Sequence, residues 1–240
     1  GGGAGGWDWV GGWGPGGGRG PAVAAEDGLY QQIATDGPRG RTVEDVALLL
    51  ASLAGGDDRA PRSLTDVLPS PDAADPIARA PGQRIGWLGS IWPDLPLEDG
   101  VKGLCEAALR HFEQLGCSVE PCTLDFPRER NWSTWLRLRQ FLVGGKLAAL
   151  YANPASRAQM KPEAIWEVEQ SHSLNARLLY EASVARTALY QVFRDLVTSL
   201  ASLIAPTATV SPVDAALALP PATSRCRRVP PHRSVPTPPP

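Results

Sequence analysis

The cysteine and histidine side chains are the first candidates for metal binding or nucleophilic chemistry. Four cysteines are present: Cys105, Cys117, Cys122 and Cys226. The three histidines are scattered along the chain: His111, His172 and His232. The closely spaced Cys117 and Cys122 do not form C-x-x-C, and no histidine lies at zinc-ligand spacing from either of them. The spacing predicts free thiols and no metal site, as is typical of the reducing cytoplasm.

Charged side chains on predicted helices are the next candidates, for acid–base work. Glu163, Glu167 and Glu169 form an acidic set on one short helix. No second carboxylate cluster accompanies them, so they are expected to be a solvated face rather than a paired acid and base. His111 and His172 are likewise expected to be solvated helical residues.

Composition excludes several classes of ligand. The net charge is −2 with 20% charged residues, so no basic surface favours nucleic acid. The Gly-rich start contains no G-x-x-x-x-G-K-[ST], which argues against a nucleotide cofactor. No apolar run reaches the roughly 20 residues that a membrane-spanning helix needs, and no signal peptide is evident. We therefore expect no cofactor, nucleic-acid or membrane partner.

The elements that would position any site begin with a strand, a helix and a strand. Thr42 caps an earlier helix of about 13 residues that ends at Gly55-Gly56. Residues 84–88 form a short strand, an amphipathic helix follows over 98–115, and residues 118–121 form a second strand. This order favours parallel pairing in a covered sheet.

The rest of the chain is predicted to form helices followed by one strand. Helices are predicted over 131–151, 161–169 and 173–200, and a strand over 202–208. The last helix has apolar residues at steps of three and four: Leu178, Ala182, Ala185, Leu189, Val192, Leu196 and Leu200. The helix over 131–151 carries an aromatic group at helical spacing: Trp132, Trp135 and Phe141.

Both ends depart from globular composition. Twelve of the first 20 residues are Gly and seven of the last 20 are Pro. Such segments bury too little to offset the entropy of ordering, and we expect them to be disordered. The chain is therefore divided into a low-complexity segment 1–26, a globular domain 27–219 and a Pro/Arg-rich tail 220–240.

Four segments resemble the amidase signature family. Gly37-Pro38 followed by the RTVEDVALLL run over 41–50 is similar to a family helix, and RIGW over 84–87 to a family strand. Residues 101–117 and LIAPTAT over 203–209 are similar to a further helix and strand, in the same order. The resemblance covers about 27–214, roughly three quarters of the chain.

The resemblance implies part of an α/β/α sandwich around a mixed sheet that acts on small-molecule carboxamides. It also implies a Ser–Ser–Lys triad, in which a buried lysine activates a nucleophilic serine. In the family the triad precedes the RTVED helix, but here residues 1–36 contain no Ser and no Lys. No catalytic residue is therefore assigned. Trp132, Trp135 and Phe141 are either core residues or the lining of the acyl pocket.

Two functions remain open from the sequence. The chain is either an amidase fragment that is inactive on its own, or a non-catalytic module that associates, with itself or a partner, through the exposed half-fold. The ends have two explanations, a shifted reading frame in a G+C-rich gene or a truncated paralogue. The amide substrate is not specified, since one fold serves many chemistries.

Overall fold

The computed structural model describes residues 37–65 and 78–211, together with 11–12, 27, 29–30 and 33. Most of the predicted low-complexity segment and the whole predicted tail lie outside these residues. The described chain forms two compact units. The first holds the described residues of 1–90, 97–121 and 202–220, and the second those of 91–96 and 122–201.

The first unit is built around a three-stranded parallel sheet. Strand β3 (Arg84–Trp87) is central, with β4 (Ser118–Pro121) on one side and β5 (Ser202–Ile204) on the other. Ile85 of β3 lies opposite Val119 of β4 and Ser202 of β5, and both pairings are parallel. The other two described strands of this unit, β1 (Gly11–Gly12) and β2 (Arg39–Gly40), form a separate antiparallel pair. The bounds are β1 Gly11–Gly12, β2 Arg39–Gly40, α1 Val43–Leu53, β3 Arg84–Trp87, α2 Asp99–Gln114, β4 Ser118–Pro121 and β5 Ser202–Ile204.

The βαβ order predicted from sequence is confirmed, because β3, α2 and β4 follow one another and the two strands are parallel. Helix α2 ends before Gly116, whose φ of +86° lies in the left-handed region that favours glycine. The Arg84 Nε atom lies 2.6 Å from Glu120 Oε1, and this partly exposed ion pair joins β3 to β4.

Helix α1 begins as predicted. Thr42 Oγ1 accepts a hydrogen bond of 3.1 Å from Asp45 N, which satisfies one of the free N–H groups at the helix start. Val46 and Leu50 are buried, whereas Leu48 on the opposite side is 71% exposed. An apolar residue therefore lies on the outer side of α1 as well as on the inner side.

The second unit is a group of helices. Helix α3 packs against α5 and α6, and the short α4 follows α3 directly. On α6 the predicted inner stripe is confirmed at Ala182 and Ala185, which are buried. Before α3, Trp92 Nε1 donates to the Phe126 carbonyl oxygen at 2.8 Å, which ties the 91–96 segment to this unit. The bounds are α3 Arg128–Ala152, α4 Pro154–Arg157, α5 Pro162–Ser171 and α6 Ala176–Ser199.

Helices α3 and α5 approach closely at Gly144. A Cβ atom placed there would collide with the Cβ and Oγ atoms of Ser171. The next residue, Gly145, has open space at the same position. Gly144 is therefore the glycine that this helix contact requires, and Gly145 is not.

Candidate functional site

The predicted aromatic group lies on α3, but its members do not share one side of the helix. The rings of Trp132 and Trp135 stack with centroids 5.1 Å apart, and both residues are partly exposed. Phe141 is nine residues after Trp132, which at ~100° per residue puts it on the opposite side of the helix. The structure therefore brings the two tryptophans together and separates Phe141 from them.

Arg139 extends the tryptophan stack. Its guanidinium carbon lies 5.3 Å from the ring centre of Trp135, within cation–π range. The Nε atom of Arg139 also pairs with Glu167 Oε1 on α5. One arginine thus connects an exposed aromatic surface to a buried carboxylate.

Glu167 corrects the expectation that the acidic set 163–169 is a solvated face. This residue is only 7% exposed, and Val168 beside it is almost completely buried. Its Oε2 atom is buried with no hydrogen-bond partner within the residues that the structure describes. The i, i+4 spacing of Glu163 and Glu167 contained no signal for this burial, because it arises from the packing of α5 on α3.

Glu169 and His172 belong to a polar cluster at the end of α3. Tyr151 donates its hydroxyl to Glu169 Oε1 at 3.0 Å, and Arg157 lies over the Tyr151 ring at 4.3 Å. Burial and this hydrogen bond raise the pKa of Tyr151. The His172 ring meets the Tyr151 ring edge-on at 6.0 Å. The cluster ties α4 to α5 and contains no activated nucleophile.

The carboxyl ends of β3 and β5 form the second candidate region. Leu88, just after β3, donates its N–H to the Ile204 carbonyl oxygen at 3.0 Å. The segment after β5 then reaches the start of α2, where the N–H of Glu98 donates to the Thr209 carbonyl oxygen at 3.0 Å. Glu98 Oε2 accepts from the N–H of Ser211 at 2.8 Å. Sequence spacing had not singled out Glu98.

Among the residues that the structure describes, the remaining sequence candidates are thiols that form no metal site. Within the described residues, Cys105, Cys117 and Cys122 are not joined in disulfides, and burial raises the pKa of Cys105. Cys226 and His232 lie outside the described residues. Within the described ranges, no three metal-ligating side chains come together. In those same ranges, none of the helices combines the length and apolarity needed to cross a bilayer.

Comparison with known sequences finds short matches. No protein-family model matches the chain. It is 37% identical over 100 residues to one subunit of the glutamyl-tRNA(Gln) amidotransferase from Burkholderia vietnamiensis, a match that covers 37% of this chain and 19% of that protein. The corresponding protein from a Synechococcus strain is 37% identical over 83 residues, which cover 35% of this chain and 16% of the relative. The chain thus spans less than a fifth of the length of these curated relatives.

Comparison with solved structures identifies the fold. A bacterial aryl acylamidase of the amidase signature family matches with a TM-score of 0.73 and 24% identity, covering 82% of this chain and 41% of that one. A complex linked to the origins of an s-triazine catabolic enzyme matches at 0.60 and 19%, covering 73% and 36%. These structures confirm the α/β fold and the predicted resemblance to the amidase signature family. The match to the aryl acylamidase covers less than half of that protein.

Proposed function

Because this chain has the fold of amidase signature enzymes, we propose that it forms part of an enzyme that hydrolyses small-molecule carboxamides. In that enzyme it would supply the supporting part, which does not contain the nucleophile. The observation that carries the proposal is the fold match to the aryl acylamidase, with a TM-score of 0.73 over 82% of this chain. The described cysteines form no disulfide, which fits a reducing compartment. A cytoplasmic location is accordingly part of the proposal.

The chain on its own is expected to have no amidase activity. The family resemblance requires a nucleophilic serine and a lysine base before α1, and residues 1–36 contain neither. The test is incubation of the purified chain with 4-nitroacetanilide and an alkyl amide, with nitroaniline and ammonia measured. No release above a heat-treated sample is expected. The prediction would be refuted if amide hydrolysis co-purified with the chain over two chromatography columns and were blocked by a serine-directed inhibitor.

The supporting role has its own test. A chimera is made in which residues 27–219 replace the matching part of the aryl acylamidase, which then supplies the nucleophile. We expect amide hydrolysis that is lost when the acylamidase nucleophile is replaced by Ala. An Ile85→Asp version is the control, because Ile85 is buried in the central strand and should not tolerate a charge. A folded but inactive chimera would count against the proposal.

The exposed tryptophan pair is proposed as the surface that contacts the aryl or acyl group of the amide. Stacked indole rings at 5.1 Å present a flat apolar face to a planar ligand. In the active chimera, Trp132→Ala and Trp135→Ala are expected to raise KM about tenfold with little change in kcat. Phe141→Ala is the comparison, since Phe141 lies on the other side of α3. Equal effects of all three changes would contradict this assignment.

A second candidate function is a non-catalytic interaction module. Large apolar side chains are exposed on the first unit, among them Val43 at 79% and Leu104 at 76%. Exposed apolar surface of this kind favours association with another chain. The oligomeric state of the purified protein distinguishes this function from that of a monomeric fragment.

A further inference from the structure

Glu98 holds an unusual position at the start of α2. A residue at the N-cap of a helix commonly uses its side chain to accept from the first N–H groups of that helix. Glu98 makes no such bond. Its carboxylate instead accepts from the N–H of Ser211 at 2.8 Å, 113 residues away in sequence.

The backbone of Glu98 contacts the same segment. Its N–H donates to the Thr209 carbonyl oxygen at 3.0 Å, so one residue engages two alternate residues of the segment after β5. A carboxylate that accepts from a backbone N–H makes one of the stronger hydrogen bonds in proteins. The contact also lowers the pKa of Glu98.

The segment that Glu98 contacts, residues 205–211, begins at the carboxyl edge of the parallel sheet. The topology predicts that this edge faces a ligand. Strands β4 and β5 lie on opposite sides of β3, which makes β3 a point where the strand order reverses. In open parallel sheets, ligands bind outside the carboxyl ends of the strands at such a point. Residues 205–211 leave β5 at that end, so their conformation shapes what faces a ligand there.

We propose that Glu98 is a positioning residue that latches the 205–211 segment across the carboxyl edge of the β4–β3–β5 sheet. The inference that the segment faces a ligand rests on the proposed function, whereas the latch itself does not. The side chain acts through the acceptor oxygen that it presents to Ser211. A neutral residue of the same length should therefore keep most of the contact, and a shorter acid should not.

Amide hydrogen exchange of the full chain, read on peptides that cover 203–211, tests the latch. Glu98→Ala and Glu98→Asp are expected to speed exchange in this segment about tenfold, because each loses the bond to Ser211. Glu98→Gln keeps an acceptor oxygen but not the charge, so it is expected to speed exchange by much less than Glu98→Ala. Glu106→Ala is the matched control, since Glu106 pairs with Lys102 on the same helix and does not contact the segment.

The outcomes are separable. Exchange unchanged in Glu98→Ala, or accelerated equally in Glu98→Gln, would overturn the latch. Acceleration that extends to β3 residues 84–87 would show general destabilisation and would also overturn it. If Glu98→Ala does not fold, the Asp and Gln variants still decide the question. None of these measurements requires catalysis. The latch can therefore be refuted while the amidase proposal stands, and the amidase proposal can be refuted while the latch stands.

Discussion

Arg139 is the residue through which the exposed face of α3 is tied to the interior of the second unit. Its guanidinium contacts the Trp135 ring on one side and pairs with the buried Glu167 on the other. Taking a carboxylate out of water is costly, and the paired guanidinium offsets that cost. The energetic effect of losing Arg139 should therefore exceed that of losing an exposed arginine.

Arg139→Ala is expected to lower the free energy of unfolding by about 3 kcal/mol, because it leaves the Glu167 charge buried without a partner. Chemical denaturation measures the change. Arg177→Ala is the matched control, as Arg177 pairs with Glu181 but is 87% exposed, and its removal should cost below about 0.5 kcal/mol. The double variant Arg139→Met with Glu167→Leu should recover most of the loss. Equal costs for the two single arginine variants would contradict the prediction.

Asp57 provides a pH-dependent test at the same scale. Hydrogen bonds from the Arg59 side chain and then its backbone N–H lower the pKa of Asp57 to about 2. A carboxylate whose pKa is lower in the folded than in the unfolded chain stabilises the fold above its ordinary value of about 3.9. This contribution should disappear as the pH falls from about 4 to 2. An NMR titration of the Asp57 carboxyl carbon measures the pKa, and Arg59→Gln should return it towards the ordinary range.

At the scale of elements, local periodicity predicted the longer helices but not the four-residue α4, and contacts between helices were not predictable. The stripe on α6 and the Thr42 cap of α1 follow from residues close in sequence, so both could be predicted. The close approach of α3 to α5 at Gly144 could not, because a glycine pair inside a helix has several explanations. Only the position of Ser171 distinguishes Gly144 from Gly145.

The two glycines therefore make a matched pair of substitutions. Gly144→Ala is expected to destabilise the protein by about 1–3 kcal/mol, since its methyl group would overlap Ser171. Gly145→Ala should instead be stabilising by up to about 1 kcal/mol, because it has open space and Ala favours helix. Thermal unfolding compares them, and adding Ser171→Gly to Gly144→Ala should restore part of the loss. Similar melting temperatures for the two alanine variants would contradict the close contact.

At the scale of the whole molecule, the described chain leaves apolar surface uncovered. Helix α1 is apolar on its outer side at Leu48 and also around Leu53, which is 52% exposed. A helix that is apolar nearly all round is normally buried. The match to the solved aryl acylamidase covers 41% of that protein. More than half of the acylamidase therefore has no counterpart in this chain.

We predict that the purified chain associates through this surface. Light scattering after size-exclusion chromatography is expected to give a mass above the 25.5 kDa monomer that increases with concentration. Leu48→Lys should shift the protein towards the monomer. Ser52→Lys is the control, because Ser52 is exposed and polar on the same helix. A monodisperse monomer with cooperative unfolding would count against association.

The sequence by itself determined the types, order and approximate bounds of the main elements. It also determined the family resemblance and the lack of a serine or lysine before α1. These properties depend on residues close together along the chain, where spacing and caps act directly. The pairing of β3 with β4 followed as well, since a short crossover favours parallel neighbours.

Only the tertiary structure decided which residues come together from distant parts of the chain. It buried Glu167 against Arg139 and brought Glu98 to Ser211. It also put β5 beside β3 rather than beside β4. The physical reason is that burial and long-range hydrogen bonds depend on how elements pack, and many packings satisfy the same local periodicity.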